Sequence, residues 1–316
     1  MVPIHQARHK ADASLRGGRA RQGRYHRLML LALDIGNTNV TLGLVNGDTV
    51  MASRRAATRA GSTSDEFEIL IDGLLHIDGA SMADVSGISL SSVVPSLATV
   101  ATSVAERRGL PMLIASSGNM PMPLRVQHPA EVGPDRLVNA VAVARLYGTP
   151  AIVVDFGTAT KFDCVDRDGA FIGGAIAPGI ELGIEALASR TARLPRIDMV
   201  APEKAIGTDT ISAMQSGVVL GYRALTLGLL ERIRGEMVRS ERVDPDTIQV
   251  VATGGLSAAP FVAALPGIVA IDPELPLKGL AILWALANGA PNVPGEAVGW
   301  TGSAAGSIHI ISERGE

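Results

Sequence analysis

The sequence predicts an α/β protein of two similar domains, and three observations carry that expectation. Its composition, 47% hydrophobic with 19% charged and only 3% aromatic residues, belongs to a chain that buries Ala/Val/Leu/Gly-rich cores. Short apolar runs closed by turn residues alternate with stretches of helical spacing, as layered strands and helices do. A motif near the start of the chain returns near its middle, and 316 residues give room for two domains of ordinary size.

In chain order, the apolar run Leu28 to Leu33 is a strand that delivers Asp34 to the tight, hydroxyl-rich turn Ile35-Gly36-Asn37-Thr38-Asn39-Val40-Thr41. Leu42 to Val45 resumes the strand pattern up to Asn46-Gly47-Asp48, so the unit is a hairpin or the start of a meander, with Ala56 to Ser62 read as loop. Thr63 and Glu66 have capping-box spacing ahead of Phe67, Leu70, Ile71, Leu74 and Leu75, which predicts a helix from about Ser64 to His76. Ile88 to Val94 is a strand stopped by Pro95, and a helix follows through Ala105. After the Pro-containing stretch 121–132, Gly133-Pro134-Asp135-Arg136 opens a helix that closes at Gly148, with Pro150 beyond.

The second half begins with the buried strand Ala151 to Val154 and repeats the opening motif, Asp155-Phe156-Gly157-Thr158-Ala159-Thr160 echoing Asp34-x-Gly36-x-Thr38. A repeat so widely spaced is no solenoid period; it marks two domains that each present one hairpin. Glycines at 173, 174 and 179 lie before a helix from Ile180 to Ser189, and Thr210 is placed to cap the helix from Ile211. The strand Ile248 to Thr253 ends in Gly254-Gly255, and a last helix ends near Asn288. These limits give an extension over 1–28, domains over 29–148 and 149–288, and a Gly/Pro/Ser-rich tail over 289–316 that holds the apolar piece Ile308 to Ile311.

The hairpins suit phosphate chemistry. Gly36 lets a ligand approach the backbone, and Asn37, Thr38, Asn39 and Thr41 offer hydrogen-bond donors around an oxyanion. Asp34 repels a bare phosphate but can hold a hydrated Mg²⁺ that bridges to it. Two facing copies grip a triphosphate from both sides.

The formal net charge of −3 conceals a basic arm. Residues 1–28 carry Arg8, Lys10, Arg16, Arg19, Arg21, Arg24 and Arg27 against Asp12, which leaves 21 basic and 30 acidic side chains beyond them. The arm has no apolar face and reads as disordered, with Met29 an alternative start; no nucleic-acid partner is expected. No run qualifies as a signal peptide or membrane span, since Val85 to Ala105 is rich in Ser and Thr and broken by Pro95. The single cysteine, Cys164, excludes an intramolecular disulfide framework and fits a reducing, cytoplasmic setting as a buried thiol.

Together these residues resemble the type III pantothenate kinases of the acetate and sugar kinase/Hsp70/actin superfamily, over about Met29 to Asn288. The ordered set includes Asp34 to Asn39, Ser91-Ser92-Val93-Val94-Pro95, Gly133 to Arg136, Asp155 to Thr160, Gly173 to Gly179, Thr191-Ala192-Arg193-Leu194-Pro195 and Ala213-Met214-Gln215-Ser216-Gly217. The resemblance implies two ribonuclease-H-like domains around an ATP cleft, a homodimer, and ATP-dependent phosphorylation of pantothenate as the first step of coenzyme A synthesis. It implies that Asp34, Ile35, Gly36, Asn37, Thr38, Asn39, Val40, Thr41 and Thr158 bind ATP. Gly133, Pro134, Asp135 and Arg136 would hold pantothenate, with Asp135 as proton acceptor and Thr210 as a further contact. Asp155 would bind K⁺ or NH₄⁺, although on sequence grounds it could equally hold Mg²⁺.

Two positions depart from the family's pattern. Val126 stands where an aromatic pantothenate contact is common, and Lys161 replaces a small or hydroxyl residue after the Thr-Ala-Thr run. Competing expectations are a related kinase acting on a sugar or small acid, and a non-catalytic Baf-type transcription regulator. Retention of Asp34, Asp135 and Asp155 argues for catalysis.

Overall fold

The computed structural model describes residues 29–289, so the expectations for the basic arm and for Ile308 to Ile311 lie outside the described residues. Strands β1 (Met29–Ile35), β2 (Asn39–Asn46) and β3 (Thr49–Ala57) form an antiparallel meander. Helix α1 (Ser64–Ile77) leads to β4 (Val85–Ser92), parallel to β1, and α2 (Pro95–Arg107) leads to β5 (Met112–Ile114), parallel to β4. The sheet order is β3-β2-β1-β4-β5. Met29 to Leu33 are all buried, as befits a strand enclosed on both faces by covering helices.

The first half ends with α3 (Pro134–Leu146). The second sheet repeats the plan of the first: β6 (Ala151–Phe156), β7 (Ala159–Val165) and β8 (Phe171–Pro178) form the meander. After α4 (Ile180–Arg190), α5 (Thr210–Gln215) and α6 (Gly221–Glu241), β9 (Gln249–Thr253) joins β6 in parallel. The short α7 (Pro260–Ala263) precedes β10 (Ala270–Ile271), which completes the order β10-β9-β6-β7-β8, and α8 (Leu275–Ala287) ends the described chain. Both halves thus fold as antiparallel meanders continued by parallel strands, which is the structural form of the sequence repeat.

Helices α3 and α8 make a central layer shared by the two sheets. One continuous apolar cluster joins Leu30 and Ala32 of β1, Val138 and Val141 of α3, Leu280 and Leu283 of α8, and Val153 and Val251 of the second sheet. The outer face of the first sheet is closed by α1 and α2 through Phe67, Ile71, Leu97 and Val104, and that of the second by α6 through Tyr222 and Leu230. Close approach within the central layer depends on Gly279, where a Cβ atom would lie 2.5 Å from the Val138 carbonyl oxygen. Helix α8 also reaches the first sheet, with Ser89 Oγ donating to the Leu280 carbonyl at 2.9 Å.

Two local readings need correction. Strand β3 runs through Ala56 and Ala57, expected as loop, because its backbone completes the ladder with β2 although its side chains are half-buried or exposed throughout. Thr210 is the first residue of α5 and not its cap. Asp209 takes that role, its carboxylate accepting from the Ser212 amide at 2.9 Å, because the carboxylate one residue earlier reaches the unpaired amides of the first turn. The capping box at Thr63 and Glu66 is present as expected.

Candidate active site

Both hairpins sit at the carboxyl ends of the central strands of their sheets and face one cleft of about 640 Å³. Asp34 is the penultimate residue of β1 and pairs across the ladder with Thr41; Asp155, penultimate in β6, pairs with Lys161. Each turn is tied by its glycine amide, Gly36 to the Asn39 carbonyl at 2.9 Å and Gly157 to the Ala159 carbonyl at 3.2 Å. The two turns touch: the Thr38 and Thr158 hydroxyls are hydrogen-bonded at 2.7 Å across the cleft.

Asp34, Gly36, Asn37, Thr38, Asn39 and Thr41 line this cleft, and so do Asp155 and Thr158. Ile35 and Val40 are buried at 1% exposure and point into the apolar cluster beneath, so they support the turn by packing. The third contribution is the start of α3. Gly133 is its N-cap residue, Pro134 its first residue and Asp135 its second, and Gly133, Asp135 and Arg136 line the same cleft. Proline fits there because a helix's first amide has no intrahelical partner.

Charge is concentrated here. Lys161 Nζ donates to Asp135 at 2.6 Å and lies 2.8 Å from Asp155, so a single ammonium bridges two of the carboxylates. Burial opposes the charged form of Lys161, but Asp155 and Asp135 outweigh it and the amine is held protonated well above the usual lysine range. Asp34 is pushed up to about 7, first by burial at the cleft floor and then by the Asp135 and Asp155 charges, with Ser91 and Lys161 acting against the rise. Asp163, fully buried behind the cleft, is also pushed up to about 7 by burial although Arg136 opposes the shift. Arg136 Nε donates to Asp163 at 2.6 Å, and its guanidinium lies 5.5 Å over the Phe171 ring. Strand β7 and the Phe171 ring thereby hold the arginine at the edge of the cleft.

Several lining residues were missed in the sequence. Arg55, on β3, rests its guanidinium against Gly255 beyond β9, joining the two halves. Gly254 has φ +92° and leaves no room for a side chain, since a Cβ would strike Asp155 Oδ1 and lie 2.7 Å from the Phe156 amide. The Gly-Gly pair was legible as a close-approach turn, but nothing local to Arg55 distinguishes it from its neighbour Arg54, which is paired with Asp78. Two expected contacts lie apart from the cleft lining. Thr210 lines a separate apolar groove with Leu187, Leu194 and Met214, and Val126 packs beside the central core near Gly173.

Among the described residues no group of three or more His, Cys, Asp or Glu side chains converges as a metal cage. Asp34 fits a Mg²⁺ ion held by one carboxylate, water and substrate phosphates, since its anion lies where a nearby divalent charge would relieve the repulsion from Asp135 and Asp155.

The family model for type III pantothenate kinase matches residues 30–232. A type III pantothenate kinase of Thermomicrobium roseum is 45% identical over 256 residues, 80% of this chain and 95% of that protein. One from Moorella thermoacetica is 41% identical over 260 residues, 81% of this chain and 98% of its own length. A solved structure from Campylobacter jejuni, named for the Baf family of transcriptional activators, superposes with a TM-score of 0.52 over 82% of this chain and 98% of its own at 17% identity. That last likeness shows the shared two-sheet fold.

Proposed function

The chain belongs to the type III pantothenate kinase family, and from that premise we propose how its own residues divide the transfer of a phosphoryl group from ATP to pantothenate. It is a kinase of coenzyme A biosynthesis that uses ATP and a divalent metal ion. The observation that carries the division of labour is the placement of Asp135 in one cleft with both Thr38 and Thr158.

The hairpin residues Gly36 to Asn39 and Thr158 receive the ATP phosphates, with donors converging from both sheets. Asp34 would hold Mg²⁺, which when bound would supply positive charge against the phosphates. Phosphoryl transfer asks chiefly for positioning and charge neutralisation, so little covalent chemistry falls to the protein. Asp135 accepts the proton of the primary hydroxyl of pantothenate as that oxygen attacks the γ-phosphorus and the bond to the ADP oxygen breaks. Its carboxylate is aimed by Lys161 and by the start of α3. Arg136, with Nε occupied by Asp163, can offer its other nitrogens to the pantothenate carboxylate. Gly133 and Pro134 shape the backbone of that subsite. Thr210 contacts the substrate in the family's pattern, and here it borders a groove beside the exposed Ile211.

We further infer a cytoplasmic homodimer. The apolar groove of Leu187, Leu194 and Met214, with the exposed Ile211 next to Thr210 at its border, supports a second copy there. No described helix is long and apolar enough to cross a membrane. The Lys161 ammonium lies 2.8 Å from Asp155, the carboxylate to which the resemblance assigns the monovalent cation.

Incubation with ATP, Mg²⁺ and pantothenate should give pantothenate-dependent ADP. Absence of that ADP from folded protein, in every salt tried, would overturn the reading.

A further inference from the structure

We propose that the Lys161 ammonium replaces the monovalent cation at Asp155, so that this kinase works without added K⁺ or NH₄⁺. The inference rests on the kinase reading above and concerns the same cleft.

Three features place the ammonium. Lys161 lies directly across the β6–β7 ladder from Asp155, so the backbone register itself aims the side chain. Its Nζ lies 2.8 Å from Asp155 and 2.6 Å from Asp135, with the lysine side chain 17% exposed and the carboxylates 13% and 20%. The other Asp155 oxygen, Oδ1, is walled by the backbone at Gly254. One oxygen therefore meets Lys161 and the other meets glycine backbone, and a second monocation would have to approach against the ammonium's own charge.

The chemistry of the replacement is direct. A site that accepts either K⁺ or NH₄⁺ requires a single positive charge of modest size, and a lysine head group is an ammonium tethered to the chain. Tethering removes the translational entropy that a free ion loses on binding, so the site stays filled whatever the salt. Lys161 also carries the charge to Asp135, which ties the proton acceptor on α3 to the second hairpin. With Asp34, Asp135 and Asp155 facing one ammonium, net negative charge remains for Mg²⁺ and its waters. The first hairpin supplies the comparison within the same molecule: the residue opposite Asp34 is Thr41.

The test compares wild type with Lys161→Thr, which gives the second hairpin the residue type found at the matching place in the first, in KCl, NH₄Cl and choline chloride at equal ionic strength. Initial rates of pantothenate-dependent ADP release and thermal midpoints with a non-hydrolysable ATP analogue are both measured. Wild type should change by less than about twofold in kcat/KM among the salts, with one midpoint. Lys161→Thr should lose about tenfold or more in choline, recover with K⁺ or NH₄⁺, and show a midpoint raised by those ions alone. A wild type that needs K⁺ and is stabilised by it overturns the proposal, and that arm decides even if the variant does not fold. A folded Lys161→Thr inactive in every salt also overturns it, since lysine would then serve the phosphates and not the cation's place. Wild type without activity in any salt would instead count against the kinase reading, while the thermal arm still reports whether K⁺ binds.

Discussion

Replacing Asp34 by Asn should stabilise the nucleotide-free protein at alkaline pH while removing its activity. Asp34 has a native pKa pushed up to about 7 from the ordinary 3.8, by burial and by Asp135 and Asp155. Because the native value lies above the unfolded one, the native state binds the extra proton, and stability falls as pH rises from about 4 through 7. At 1.36 kcal/mol per unit the cost is about 1.7 kcal/mol at pH 5 and about 4 kcal/mol at pH 8. Asn keeps the shape and carries no charge, so its advantage over wild type should widen by about 2.5 kcal/mol across that interval. At roughly 2–4 °C per kcal/mol, the gap between the two melting midpoints should grow by about 5–10 °C from pH 5 to pH 8. Asp163 titrates in the same range in both proteins, so its contribution cancels in the difference. The assay is thermal unfolding at fixed ionic strength without Mg²⁺ or nucleotide. A gap that stays constant with pH would show that Asp34 carries its charge without cost, and the electrostatic account of the cleft floor would fail.

Further outcomes follow from the same geometry. Asp135→Asn should lower kcat by about 10²- to 10⁴-fold while leaving ATP-analogue affinity near wild type, measured by steady-state kinetics and calorimetry. Gly254→Ala places a Cβ against Asp155 and imposes φ +92° on an L residue, so chemical denaturation should show a loss of about 1–3 kcal/mol with raised KM for ATP. Gly279→Val should cost about 2 kcal/mol or more, since the Val138 carbonyl lies 2.5 Å from the new Cβ and the α3–α8 contact must open. Arg136→Met leaves Asp163 buried without its partner and should cost about 3–5 kcal/mol at pH 8, less near pH 5 where Asp163 is protonated, as followed by urea unfolding.

The fold was legible where local signals agreed with burial. Asp34 and Asp155 were found because each ends an apolar strand before a glycine turn, and the repeat between them foretold two sheets of one plan. The end of strand β3, Ala56 and Ala57, was read as loop because neither side chain is buried, and its place is won by backbone pairing with β2. The domain limits 29–148 and 149–288 were read from sequence order alone. In the structure α8, at the end of the chain, packs on the first sheet through Leu280 and Ser89, while α3 lies against both sheets, a shared layer that no local pattern encodes.

The same limit governs the site. Asp135 was expected as proton acceptor through the resemblance carried by Gly133-Pro134-Asp135-Arg136, and a carboxylate in the first turn of a helix is both stable and accessible. Its partner was not expected, because Lys161 is 26 residues away and meets it only after β7 is registered against β6. Lys161 was visible in the sequence as a departure from the family's pattern, and its consequence depended on which carboxylates the ladder brought within reach. Antiparallel pairing puts position 161 opposite position 155, and the start of α3 brings Asp135 to the same ammonium. A substitution of one hydroxyl-sized residue thus changes the charge of the catalytic cleft by one unit while leaving every family motif in place. On the proposal above, cation dependence is set in this chain by a residue outside those motifs, at the position across the ladder from the second aspartate.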